Sequence, residues 1–255
     1  MSDQPTPPNP GQPRELNLQQ MANQFMAGVQ RHFDMLAFNL ATRGLGSENT
    51  YNELISRAGV MPVPQLHQNF EQMQAHARDL LLRQVINDAL NLTVTCLNNT
   101  HLFLALIKEK RESGGNELTQ EQQKAAQQAQ QEFIKVRLED KFDRIETTYK
   151  VMCELEDSII SLAFCLQALV TQGGVVRKAQ LGANQQLELE LVHAAPSLKS
   201  PHNLQPANIR TYTKSFSEEE RIIFSDTDLQ SVILTVGVFA RQLFESVAKY
   251  ASPEA

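Results

Sequence analysis

The 255-residue sequence predicts a mainly α protein: a bundle of four principal helices, two of them very long, with a small β-containing insertion before the last. Three observations predict it. Apolar residues recur at three- and four-residue steps over four long stretches, the mark of helices with one buried face. Glycine pairs and prolines punctuate the gaps between them. Residues 175–224 abandon that period for a two-residue alternation, and Pro196, Pro201 and Pro206 exclude a long helix there. With 42% apolar and 20% charged residues the composition is that of a globular chain, long enough to bury a real core. The expected organisation is one helical domain over 16–255 behind a tail at 1–15.

Five of the eleven prolines fall at positions 5 to 13, so the tail reads as disordered and extended. Leu18, Met21, Phe25, Val29, Phe33, Leu36 and Leu40 then share one helical face, predicting a helix over about 16–43 that Gly44 and Gly46 stop. A connector follows, with one helical turn expected at Asn52–Arg57 and with Pro62 and Pro64 closing it. The second helix is expected over about 65–112, through Leu66, Phe70, Leu81, Val85, Leu92, Cys96 and Phe103 to Gly114 and Gly115.

The third is expected over about 119–172. It opens on the capping box Thr119-x-x-Gln122 and carries a heptad-like seam: Leu138, Phe142, Ile145, Tyr149, Met152, Leu155, Ile159, Leu162, Leu166 and Leu169. Helices of this length extend roughly 65–80 Å and cannot stand alone, so the two are expected to form an antiparallel hairpin around the two glycines. The last helix, over about 226–251, follows the capping box Ser225-x-x-Asp228 and is striped by Leu229, Val232, Ile233, Val236, Phe239, Leu243 and Val247. Before it, "QLELELVH" reads as a half-exposed strand, although Leu and Glu leave a helix over Ala183–Val192 open. "IRTYTKSF" and "RIIF" read as further strands, with a turn at Ser217–Glu220.

A net charge of -6 argues against a general binder of nucleic acid or anionic membrane, which needs a basic face. The polar, proline-rich start carries no apolar leader. The run Leu80–Ile107 is interrupted by Arg83 and Asp88 and makes a poor membrane span. Cys96, Cys153 and Cys165 show no ligand spacing, and an odd number on helical patterns suits a reducing compartment. A cytoplasmic protein is expected, so the sequons at Asn91 and Asn98 carry no weight.

The stretch "LNLTVTCLNNTHLFLALIKEK" holds the single candidate for chemistry, His101. Its helix is apolar around most of its circumference, so it is expected at the centre of the bundle, with His101 on an apolar stripe. Two readings stand: a core histidine bonded to a neighbour, or a catalytic or ligand-contacting histidine in a bundle groove. Cys96 lies about 140° away around the axis and cannot pair with it on one helix. Gln84, Asn87, Asn91, Thr95 and Asn98 form a narrow polar line on the same helix. It reads as a wetter seam, as a hydrogen-bonded layer that sets helix register, or as a pocket lining.

Elsewhere, His193 and His202 with Glu188 and Glu190 fit no metal-ligand spacing, and neither a metal nor a cofactor is expected. Lys135, Arg137, Lys141, Arg144 and Lys150 alternate with Glu132, Glu139, Asp140, Asp143 and Glu146, the pattern of a salt-bridged exposed face. No phosphate-binding glycine loop, nucleophile elbow, HExxH or EF-hand loop is present. A mainly helical chain with a histidine on a buried helix stripe resembles the HEPN-type ribonucleases, which place an Arg a few residues before the His. Here Thr95 to Thr100 contains none, and the nearest earlier one is Arg83.

The expected function is therefore that of a cytosolic interaction or scaffold protein without catalytic activity, self-associating or binding protein partners, with no membrane and with nucleic acid disfavoured but left open. The alternative is a divergent HEPN-like nuclease or nucleic-acid-associated protein that uses His101 in a groove.

Overall fold

A computed structural model describes residues 17–43, 45–56, 69–114, 118–194 and 209–252. The expected tail at 1–15, Arg57, Pro62, Pro64 and His202 lie outside them. The chain is mainly helical with one small antiparallel sheet. In order it forms α1 (Leu18–Arg43), α2 (Glu48–Ser56), α3 (Phe70–Ser113), α4 (Gln120–Ile134), α5 (Leu138–Tyr149), α6 (Glu156–Thr171), β1 (Gln186–Ala194), β2 (Ile209–Ser217) and α7 (Asp226–Ala251).

Several boundaries follow from local chemistry. Asn69 caps α3 by accepting the Gln72 N–H at 2.8 Å. Gly114 ends it in the left-handed region at φ 61°. Both expected capping boxes form, Thr119 with Gln122 and Ser225 with Asp228. The turn expected at Asn52–Arg57 is the nine-residue α2.

The largest departure concerns residues 119–172. The single long helix expected there is three helices, so only α3, with 44 residues, is very long. The seam continues across both breaks in composition but not in conformation. Lys150 and Leu155 sit at φ 58° and 62°, which folds the chain between α5 and α6 and leaves Met152 exposed.

Three helices lie along one another. Gly28 faces Leu92 and His32 lies 3.4 Å from Asp88, so α1 runs antiparallel to α3. Phe25 meets Phe244 edge-on, and Arg43 grips Asp226 with two bonds of 3.0 and 2.8 Å, so α1 is also antiparallel to α7. Arg78 reaches the Phe224 carbonyl while Arg111 reaches those of Tyr250 and Ser252, so α3 and α7 run parallel. α4 returns antiparallel along α3, as expected of a hairpin around Gly114.

The core is continuous from α1, α3 and α7 into α5, α6 and β1. By length and composition α3 and α7 are each apolar enough to cross a membrane; 44% of the most apolar stretch of α3 and 61% of that of α7 is buried against the rest of the chain.

β1 and β2 pair in one unbroken register from Gln186 opposite Ser217 to Ala194 opposite Ile209. The helix left open over Ala183–Val192 is thus a strand. Leu187, Leu189 and Leu191 face the core, while Glu188 and Glu190 face out. "RIIF" is not a strand: Arg221 makes one isolated bridge with Val175, and Ile222 and Phe224 are buried in extended chain.

Candidate functional site

His101 is placed by α3, which buries this part of its circumference, and by the Gly114 turn, which lays α4 against it. Only 7% of the residue is exposed. Its Nδ1 lies 2.9 Å from Gln130 Oε1, and the Gln130 Nε2 donates to the Asn98 carbonyl at 2.7 Å. With the amide nitrogen so used, Oε1 accepts and the imidazole proton sits on Nδ1. Nε2 then accepts from the Tyr149 hydroxyl at 3.4 Å. The ring stacks on Phe133, centroids 3.9 Å apart, and meets Tyr149 edge-on.

Burial pushes the His101 imidazole below its ordinary value. The Gln130 bond opposes this, and the charges of Lys141 and Arg144 add to it. Burial likewise raises the Tyr149 phenol to about 12. The arrangement holds a neutral imidazole of fixed tautomer with both nitrogens occupied. A general base needs a lone pair within reach of a substrate proton, and here that lone pair faces Tyr149.

Lys141 joins the same cluster. It was expected on an exposed charged face, yet it is 2% exposed. Its ammonium donates to the Asn98 side chain at 3.0 Å, to the Ile134 carbonyl at 3.2 Å and to the Phe133 carbonyl, and it lies over the Phe133 ring. These carbonyls are the last of α4; Phe133 also accepts the Val136 N–H at 3.1 Å, and Lys141 is the donor that reaches Ile134. Of the other charges on that expected face, Arg137 and Asp140 form an ion pair among the described residues.

The polar line divides. Gln84, Asn87, Asn91 and Thr95 are exposed; Gln84 donates to Asp88 and Thr95 to its own helix. Only Asn98 turns inward, and it is the member that reaches the His101 cluster. His193 stands edge-on to Tyr212, across the sheet from the outward Glu188 and Glu190. Among the described residues no group of three or more His, Cys, Asp or Glu is placed to hold a metal ion. Cys96, Cys153 and Cys165 are buried free thiols, and burial raises all three. A shallow hollow on α1 is lined by Asn17, Gln19, Gln20, Asn23 and Gln24 with Ala27, and contains no acid or base.

A second cluster was legible only as a helix cap. Asp228, 7% exposed, accepts the Tyr212 hydroxyl at 2.6 Å, the Lys214 ammonium at 3.0 Å and the Ser225 N–H at 2.7 Å. Burial works against its charge, but these donors outweigh it and hold the carboxyl at about 2. The period-2 pattern does put Tyr212 and Lys214 on one face of β2. Nothing in it indicates that this face meets the start of α7. No known protein family, curated protein or solved structure matches the chain.

Proposed function

We propose that this is a non-catalytic helical interaction protein of the cytoplasm, which self-associates and uses an apolar spot on α1 and α2 to hold a protein partner. The observation that carries the reading is the set of large apolar side chains left uncovered there: Met35 at 56%, Phe38 at 63%, Leu45 at 80% and Leu54 at 57% exposure. Met35 and Phe38 stand three residues apart on one face of α1, next to the turn that holds Leu45. The enclosure of His101 supports the absence of catalysis, because its nitrogens and its face are all engaged by protein atoms. The cytoplasmic placement is supported by the three buried free thiols and by α3 and α7 turning their apolar faces to one another and to α1.

The test is the solution mass of the full chain across a micromolar dilution series, with binding of single-stranded RNA measured in parallel. A mass above that of one chain, with no RNA retained at moderate salt, is expected. A strict monomer removes self-association, and RNA binding that survives salt favours the nuclease alternative.

A further inference from the structure

The sheet has two strands and therefore two outer edges, which differ. On β1 the Val192 N–H donates to the Thr235 hydroxyl of α7 at 2.9 Å, and the Gln186 carbonyl accepts from Gly182 at 2.9 Å. The even-numbered residues of β1 thus point their backbone groups away from β2. Val192 lies opposite Thr211, so this pair exchanges no backbone bonds. The alternation then turns the N–H and C=O groups of Thr211, Thr213 and Ser215 outward from β2. Among the described residues these groups have no hydrogen-bond partner; β1 packs along α6 and α7, and β2 reaches α7 at Asp228.

Edge strands are ordinarily guarded by proline, a bulge, an outward charge or a covering element. This one is nine residues long, continuous in register and free of proline; its charges, Arg210 and Lys214, stand on the opposite face, Lys214 neutralised by Asp228, and Thr211, Thr213 and Ser215 on the solvent face are uncharged.

We propose that this edge pairs antiparallel with the same edge of a second copy, about a two-fold axis at Thr213, to make one four-stranded sheet. The sequence RTYTKSF, Arg210 to Phe216, is complementary to itself about that axis. Thr213 meets Thr213, Thr211 meets Ser215, Tyr212 meets Lys214 and Arg210 meets Phe216. Hydroxyl faces hydroxyl, and no two like charges are opposed. Lys214 brings no free charge to the pairing, being held by Asp228. Three of the opposed pairs each exchange two backbone bonds. An unrelated extended peptide gains the same backbone bonds but not this reciprocal match, which is why the occupant is a second copy.

The inference rests on the self-association reading, and the experiment separates the two. The full chain is compared with Thr213→Cys, Thr213→Pro and, as a control on the exposed face of α4, Gln128→Cys. Opposed residues in a bonded pair have Cα atoms about 5.5 Å apart, within disulfide range. The native thiols are buried and stay out of the reaction. Thr213→Cys is expected to convert to a disulfide-linked dimer under mild oxidation while Gln128→Cys does not. Thr213→Pro, which an edge strand tolerates where its N–H points outward, is expected to fall to the mass of one chain. Should circular dichroism show that the proline variant is unfolded, the cysteine pair decides alone. A wild-type dimer with Thr213→Cys uncross-linked overturns the edge pairing and leaves self-association standing. A wild-type monomer overturns both.

Discussion

Lys141 has three donors, and the chain brings three oxygens to them, from Asn98, Phe133 and Ile134. No carboxylate among the described residues forms an ion pair with it. Its charge is offset instead by the negative end of α4 and by the Phe133 ring. Burial lowers its pKa, and Arg144 nearby adds to this. Lys141→Met keeps the length but takes this donor from the Ile134 carbonyl and the Asn98 side chain, while Phe133 keeps the Val136 N–H; the cost is about 1–3 kcal/mol. A lowered urea midpoint checks this, and an unchanged one would sink the capping role. Two other groups in the interior titrate against each other. His101 is depressed when folded, so the unfolded chain binds more protons below its ordinary value of about 6.5, and stability falls as pH drops through that range. Glu156 is raised to about 7 by burial and by its neighbours Glu146, Asp143 and Asp157; its contribution is present at acid pH and fades as pH rises toward 7. The two slopes oppose between pH 5 and 7. Glu156→Gln is expected to make the melting temperature climb more steeply with pH than in the parent, and His101→Gln to make it climb less. Scanning calorimetry at both ends of that range reads the sign.

At the scale of elements, glycine marks one kind of helix end and tertiary contacts make another. Gly114 at φ 61° has nothing within 4 Å of where a Cβ would stand, so Gly114→Ala meets only the backbone penalty of the left-handed region, about 1 kcal/mol. Lys150 occupies that region at φ 58°, exposed, at the end of α5. Lys150→Gly relieves the strain but adds chain entropy to the unfolded state, and a net gain of about 0.5 kcal/mol is expected. Thermal melts of both variants should move in opposite directions. The same contrast explains what could be read in advance. The ends of α1, α3 and α6 lie at glycines, and α4 and α7 start at capping boxes, so all five were visible as residue types. The breaks at Lys135–Arg137 and Lys150–Leu155 contain neither glycine nor proline, and the apolar seam runs through both. At the first break Lys141 donates to the carbonyls at the end of α4. Between α5 and α6, Val151 and Cys153 are buried, and the Cys153 N–H donates to Glu146. Contacts between residues far apart along a helix face leave no local signature. For the same reason the position of His101 on a buried stripe was legible, but Gln130, Tyr149 and Lys141 as its surroundings were not.

For the whole molecule, Asp228 is the point where sheet and bundle meet. It is the third residue of α7, closing the capping box that Ser225 opens, and also the acceptor for two side chains of β2, so one carboxylate links the helix start to the strand. β1 is held through its leucines and through the Thr235 hydroxyl, whereas β2 depends on its pairing with β1, on Phe216 stacked against Phe224, and on this carboxylate. Asp228→Asn keeps the cap geometry but leaves the Lys214 ammonium, only 26% exposed, without its counter-charge. The expected loss is roughly 2–4 kcal/mol, a large part of the stability of an ordinary domain. Because the carboxyl is held at about 2, well below its ordinary value, the parent keeps this contribution above the unfolded pKa and loses it only as pH falls toward 2. The loss should be local before it is global. Hydrogen exchange at the amides of Leu187, Leu189 and Leu191, which point toward β2, should accelerate in the variant well before those of α3 from Ile86 to Leu104. If all of these amides accelerate together, Asp228 supports the bundle as a whole, and β2 is not the separable ribbon that its contacts describe.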